Sequence, residues 1–330
     1  MEQIVQLKNN FTILIPTYQR PLSLKRCLIS IHDLKVKPSQ IVVVCRDIDF
    51  ESIKICQEYS TDLKLVKESG TAAAIFAGLS IVTNDLIGIL DDDVELPSDW
   101  SSKCLNWFSN STEICAVGGR DSIPSRVQIQ NKKTVGKFQF FGRMIGNHSL
   151  GTGKARQVDF LKGCNFMMKK DYLTRMNGIF FKLKGSGAQV GNDLILTITP
   201  RLKGKCTIYD PQINVTHYEE ERILSSPRDN LNSHEWADRV YNLTLIKLTF
   251  CPRMTKLLVI FYAISVGDTD SPGLLKIILK KGKTRTKFTE INLILTCVVA
   301  ALQISNKFRD PLKLIRWNRI SKINLSDRKF

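Results

Sequence analysis

Residues 86–100 read LIGILDDDVELPSDW. Five apolar positions, Leu86 to Leu90, run straight into Asp91, Asp92 and Asp93. The apolar run has the length and composition of a strand buried on both faces, so the three carboxylates stand where that strand surfaces. Like charges this close repel and raise one another's pKa, and folding alone gives little reason to gather them. Alternate side chains of an extended chain point the same way, which lets Asp91 and Asp93 face one ligand while Asp92 faces elsewhere. Two convergent carboxylates without a cysteine nearby suit a hard cation, Mg²⁺ or Mn²⁺, which takes its remaining ligands from water and substrate phosphates. The competing reading is a solvated acidic turn at the head of the next helix, where Ser98 and Asp99 already supply a capping signal.

Upstream, two periodicities alternate. Phe11 to Pro16 (FTILIP), Gln40 to Cys45 (QIVVVC) and Leu63 to Val66 are strand-like, whereas Leu22 to Leu34 carries apolar residues at 24, 27, 28, 31 and 34, a helical stripe. Residues 52–59 and 71–82 are further helical stretches. Strands alternating with helices predict an α/β fold, a mostly parallel Rossmann-like sheet flanked by helices. In such sheets ligands bind outside the carboxyl ends of the strands. Three polar clusters fall at those ends: Thr17, Tyr18 and Arg20; Arg46, Asp47 and Asp49; and the three aspartates.

Downstream, 118–153 reads as loops with at most one strand pair, and order returns at Val158 to Lys170. The glycine-rich GSGAQVGND, with a mobile lid as one reading of its Gly185 to Gly191 part, precedes the apolar Leu194 to Leu202. Residues 205–217 read as a strand, a turn and a second strand ending in His217. The chain therefore divides into a catalytic-type domain over 1–235, with halves of about 1–117 and 118–235, and a basic, apolar helical region over 236–330. No internal repeat is present.

The 330 residues carry a formal charge of +17, which favours anionic partners. The charge is uneven, because residues 251–330 hold 16 Lys and Arg against 5 Asp and Glu. Nine scattered cysteines with no C-x-x-C pair suggest free thiols and a reducing, cytoplasmic setting. MEQIVQLKNN has no basic segment followed by an apolar one, so no secretory signal is expected. Leu257 to Gly267 and Ile291 to Ser305 are strongly apolar, and the uncharged run 291–306 is short of the roughly 20 residues of a spanning helix. Interfacial helices are expected there, with core helices packed on the sheet as the alternative.

Taken in order, FTILIPTYQRPLSLKRCL, SGTAAAIFAGL and LIGILDDDVELPSDW resemble the family 2 glycosyltransferases of the GT-A fold, over roughly residues 10–220. The resemblance implies the following roles. Pro16, Thr17 and Tyr18 match the loop that meets the nucleotide, with Arg20, Asp92 and the base-contacting Asp47 beside it. The family commonly has an acidic pair directly after that strand, whereas this chain has Cys45 and Arg46 before Asp47. Asp91 and Asp93 match the D-x-D metal site, and His217 stands where some members have a further metal ligand, although a lone histidine is more often structural. Gly163 and Asn165 of FLKGCNFMMKKDYL match the acceptor-side sugar pocket, to which Asn192 is also assigned. Asp193 stands in the place of the catalytic base, preceded by Asn192 where an acidic residue is usual.

The implied activity is a metal-dependent, inverting transfer from a nucleotide-diphosphate sugar to a glycan or lipid-linked acceptor, as in surface polysaccharide synthesis. An oxocarbenium-like sugar and a departing diphosphate make these residue types chemically apt. Trp100 and Trp107 are expected to pack the helix after the aspartates, Glu219 to Glu221 to form a solvated run, and Arg222 is a candidate diphosphate partner. Lys276, Lys280, Lys281, Lys283 and Arg285 would hold the enzyme at the anionic cytoplasmic leaflet, at about 1 kcal/mol per basic residue. Two other classes remain: an inactive GT-A-fold binding protein, and a basic nucleic-acid-binding protein. The second leaves the aspartates unexplained and lacks the interleaved aromatics of a stacking surface, so no nucleic-acid partner is expected.

Overall fold

The computed structural model describes residues 10–109, 111–125, 131–173, 177–187, 189–220, 232–279 and 284–308. Strands β1 (Phe11–Pro16), β2 (Gln40–Arg46), β3 (Asp62–Val66) and β4 (Leu86–Leu90) pair in parallel in the order β3-β2-β1-β4. Their side chains alternate between two cores. Phe11, Ile13, Ile15, Val43, Cys45, Leu86 and Leu90 fill one face, and Leu14, Val42, Val44, Ile87 and Ile89 the other. Helices α1 (Pro21–His32), α2 (Phe50–Glu58) and α3 (Thr71–Leu79) make the crossovers. Helix α1 opens on a proline, which gives up no needed donor there, and buries Leu24, Cys27, Leu28 and Ile31 on one stripe.

Beyond β4 come the short β5 (Val94–Glu95), α4 (Trp100–Ser109), β6 (Ile114–Ser122), the hairpin β7 (Lys137–Phe138) and β8 (Met144–Ile145), β9 (Arg156–Val158) and β10 (Asn165–Lys169). The single turns α5 (Lys170–Leu173) and α6 (Asn177–Phe180), helix α7 (Asn192–Leu202) and the long β11 (Cys206–His217) follow. Among the described residues the sheet has nine strands and continues β4-β10-β6-β11-β5, with β9 on β11. Strand β10 is antiparallel to both neighbours, and β6 and β11 are parallel. This is a mixed α/β architecture, a central sheet with a parallel half flanked by helices.

Two expectations need correction. The stretch expected to be loops from 118 is in part a central strand, β6, masked by Gly118 and Gly119. A Cβ on Gly119 would lie 1.7 Å from the Ile213 carbonyl oxygen, so the glycine marks a close backbone approach inside a strand. The expected strand, turn and strand at 205–217 is one strand with a bulge. Asp210 faces Gly119 and Asn214 faces Arg120, leaving Pro211 to Ile213, with its donorless proline, as the excess.

Helix α8 (Ser233–Phe250) begins with a capping box from Asn232 and Glu235 and extends one core into the C-terminal helices α9 (Lys256–Ser265), α10 (Leu274–Leu279) and α11 (Thr284–Lys307). Ile294, Val298, Ala301 and Ser305 form the buried stripe of α11. The span Lys287–Lys307, 21 residues, is long and apolar enough to cross a membrane by length and composition, exceeding the 16-residue run counted in sequence. The expected leaflet-binding Lys280, Lys281 and Lys283, and the side chain of Arg285, lie outside the described residues. All nine cysteines are buried free thiols.

One buried histidine makes folding pH-sensitive. His148 is 4% exposed, its Nε2 lies 3.2 Å from the Phe160 carbonyl oxygen, and burial pushes its pKa down to about 4. A depressed folded pKa means that its stabilisation is complete above the unfolded value near 6.5 and is lost as pH falls through about 4. Urea unfolding at pH 7 and pH 4 is expected to show about 3 kcal/mol of acid-induced loss that His148→Gln does not share.

Candidate active site

A cavity of 530 Å³ opens at the carboxyl ends of β1, β2 and β4. Pro16, Thr17, Tyr18 and Arg20 reach it from the β1–α1 turn, Arg46 from the end of β2, and Asp91, Asp92 and Asp93 from the end of β4. Lys162, Gly163 and Cys164 enter ahead of β10, Gly191, Asn192 and Asp193 at the start of α7, and His217 and Glu219 past β11. The far wall includes Arg239 of α8 and Asp270 of the α9–α10 turn.

Asp92 is turned toward protein partners. Its Oδ2 accepts from Thr17 Oγ1 at 2.7 Å and its Oδ1 from Arg20 Nη1 at 3.0 Å. The same guanidinium nitrogen lies 3.4 Å from Asp93. Burial pushes Asp92 up to about 7 against the pull of Arg20. Asp91 is raised by burial and by Asp93. Burial also opposes ionisation of Asp93, but the adjacent His217 imidazole and the charge of Arg20 hold it below the usual carboxylate range.

The donor set fits a divalent cation. Ligand atoms of Asp91, Asp93 and His217 lie within 4.8 Å of one another. His217 is 2% exposed, and its Nε2 lies 3.0 Å from Asp93 Oδ1, yet neither atom is part of an aligned hydrogen bond. Buried ligand atoms that stand outside any aligned hydrogen bond remain available to a cation. Two carboxylates and an imidazole suit Mn²⁺ or Mg²⁺. Without a cation, burial works against the charged imidazole, but Asp121 and Asp93 push its pKa up to about 12. Its Nδ1 faces Asp121 Oδ2 at 3.7 Å.

Asp193 sits in the first turn of α7, held by two backbone donors: Gly163 N–H at 2.7 Å to Oδ2 and Leu194 N–H at 2.9 Å to Oδ1. Burial raises its pKa and these two hydrogen bonds restrain the rise. Gly163 therefore acts on the cavity through Asp193. Asn192 lines the cavity and donates to the Gln189 carbonyl at 3.0 Å.

Some expected residues stand elsewhere. Asp47 is absent from the cavity lining, and its backbone N–H donates to Val66 at 3.1 Å. Asn165 is 2% exposed and also off the lining. It accepts from Trp100 Nε1 at 2.8 Å and donates to the Arg120 and Ile213 carbonyls at 3.0 and 2.9 Å. Trp100 and Trp107 are core residues, as their spacing suggests. Glu220 is partly exposed and accepts from Ser23 at 2.7 Å and Arg26 at 3.2 Å. Glu221 and Arg222 lie outside the described residues. The glycine-rich segment before α7 lines the cavity but is tied down, with Gln189 Oε1 accepting from Ala72 N–H at 2.8 Å.

Sequence reasoning missed Lys162, whose ammonium lies 2.5 Å from Asp121 Oδ2. Burial opposes its charge, yet the Cys164 and Asp121 side chains keep its pKa above that of a free lysine. Arg239 and Asp270, paired at 3.0 Å, were missed too. A lone lysine beside a glycine and a cation on a distant helix carry no local signal.

The placement of Asn165 separates two roles. Asn165→Leu removes the partner of the buried Trp100 N–H and of the buried Ile213 carbonyl, at about 1–3 kcal/mol per group. Urea denaturation is expected to show a loss of at least about 2 kcal/mol, with nucleoside diphosphate affinity unchanged at temperatures where the variant is folded. Unaltered stability with weakened sugar binding would return Asn165 to the pocket.

No curated protein matches the chain. Among solved structures, the mannosyltransferase PcManGT from Pyrobaculum calidifontis, in complex with GDP-Man and Mn2+, is similar at 15% identity and a TM-score of 0.48, covering 93% of this chain and 78% of that one. A likeness that remote bears on neither site nor substrate. The profile of glycosyl transferase family 2 matches residues 12–176, which reach from β1 through the aspartates to the β10 strand behind Gly163, and the chain belongs to that family.

Proposed function

We propose that this glycosyltransferase is metal-dependent and inverting, and moves a sugar from a nucleotide-diphosphate donor to a glycan or lipid-linked acceptor in surface polysaccharide synthesis, at the cytoplasmic face of the membrane. The observation that carries the reading is one cavity holding both a ligand set, Asp91, Asp93 and His217, and a separately anchored carboxylate, Asp193. A divalent cation held by the first three would stabilise charge on the leaving diphosphate. The acceptor hydroxyl oxygen bonds to the anomeric carbon, the bond from that carbon to the phosphate oxygen breaks, and its electron pair leaves with the diphosphate. The hydroxyl proton goes to Asp193. A carboxylate whose pKa is raised by burial is a better base than a free one, because general-base catalysis improves as the pKa nears the working pH. Direct displacement with a single base inverts the anomeric centre. Arg20 keeps Asp92 and Asp93 in place, and Lys162 brings a cation to the same wall.

Two variants test the reading. Asp193→Asn is expected to lower kcat about 10²- to 10⁴-fold with nucleoside diphosphate affinity intact, measured on a nucleotide-sugar panel with Mn²⁺. Asp91→Ala is expected to abolish Mn²⁺ uptake in calorimetry. Retained anomeric configuration in the product NMR spectrum, or turnover by Asp193→Asn at the native rate, overturns the mechanism.

A further inference from the structure

We propose that the α9–α10 hairpin docks on a bilayer carrying anionic headgroups and holds the mouth of the catalytic cavity at its surface. The second half rests on the transferase reading above; the first stands without it.

The hairpin is apolar on the side away from the core as well as on the side toward it. Val259, Ala263 and Ile277 face inward and are buried. Outward, Met254, Leu257 and Phe261 are 96%, 80% and 70% exposed, and Leu275, Ile278 and Leu279 are also exposed. So many large apolar side chains within 26 residues of a soluble surface mark an interaction site.

Charge decides the occupant. Arg253 and Lys276 are exposed beside the apolar residues. The only acids in 253–279 are Asp268 and Asp270, and both are tied to cations of α8: Asp268 to the buried Lys247 at 2.9 Å, and Asp270 to Arg239 at 3.0 Å. Pairing the face with a second copy of itself would set cation against cation, because a two-fold interface joins identical patches. An anionic headgroup layer complements both features, taking the apolar side chains about 5–10 Å deep and the cations at its surface.

The turn that joins the two helices, closed by the Gly267–Pro272 bridge, also brings Asp270 and its partner Arg239 into the cavity wall. A bilayer on the hairpin therefore lies close to the cavity wall that these two residues help to form. An acceptor with its chain in the membrane and its sugar head in the cavity fits this arrangement.

Flotation of the full chain with phosphatidylcholine vesicles, with and without 30% phosphatidylglycerol, tests the proposal. The chain is expected to float with the anionic vesicles, at least tenfold less with neutral ones, and less at 0.5 M NaCl. The triple variant Leu257→Ser, Phe261→Ser, Leu279→Ser is expected to lose at least tenfold in partitioning while keeping its melting temperature and its Mn²⁺ uptake. Phe261→Trp is expected to be quenched by brominated lipid. No flotation, equal binding to neutral vesicles, an unquenched Trp, or a dimer in light scattering that the triple substitution dissolves overturns it. Failure of Mn²⁺ uptake or sugar transfer by the native chain sinks the transferase reading instead and leaves the vesicle result untouched.

Discussion

Three consecutive carboxylates at the end of a buried strand repel one another, and the site is organised around compensating them. Arg20 and Thr17 engage Asp92 from the end of β1, and Arg20 also reaches Asp93. His217 meets Asp93 from the end of β11. The compensating groups come from either side of β4 in the sheet, so any slip of register between β1, β4 and β11 would misalign them. Parallel strands buried on both faces resist such slips, because a one-residue shift moves every side chain into the wrong core.

The same logic explains several residues that touch no ligand. Gly88 in β4 leaves room for the Trp100 ring, which a Cβ would approach to 2.9 Å. Trp100 in turn bonds Asn165, which ties β10 to β6 and to the β11 bulge. This buried chain of contacts sets the height of the loop that carries Lys162 and Gly163, and through the Gly163 N–H it sets the position of Asp193. The Asp193 carboxylate is thus aimed by the core beneath it.

The C-terminal helices extend this frame. Helix α8 shares the core of α3 and α7 and sends Arg239 into the cavity wall, while Lys247, fully buried, is offset by Asp268 and Ser271 at 2.9 and 2.8 Å. A lysine buried with a single acid and a hydroxyl binds the α9–α10 turn firmly to α8, since removing either partner would leave an uncompensated charge in the interior.

Much of this could be read from the chain. Apolar runs of five to seven residues alternating with amphipathic helices, as in FTILIP, Leu22 to Leu34 and LIGIL, specify the parallel half, because each run records the period of its own element. The aspartates were legible for the same reason: their chemistry depends on adjacency. What sequence did not reveal was built from distant pieces. Strand β6 was hidden because its glycines serve a neighbour 94 residues later, where Ile213 presses on Gly119. Asn165 carries a motif position yet spends its hydrogen bonds on Trp100 and two carbonyls, and Lys162, Arg239 and Asp270 reach the cavity only after folding. The chain by itself thus determined the α/β class and the acidic strand end, which follow from local periodicity and neighbouring charge. Only the tertiary structure decided which side chains share the cavity and which apolar faces stay uncovered, because both depend on packing between segments far apart in sequence.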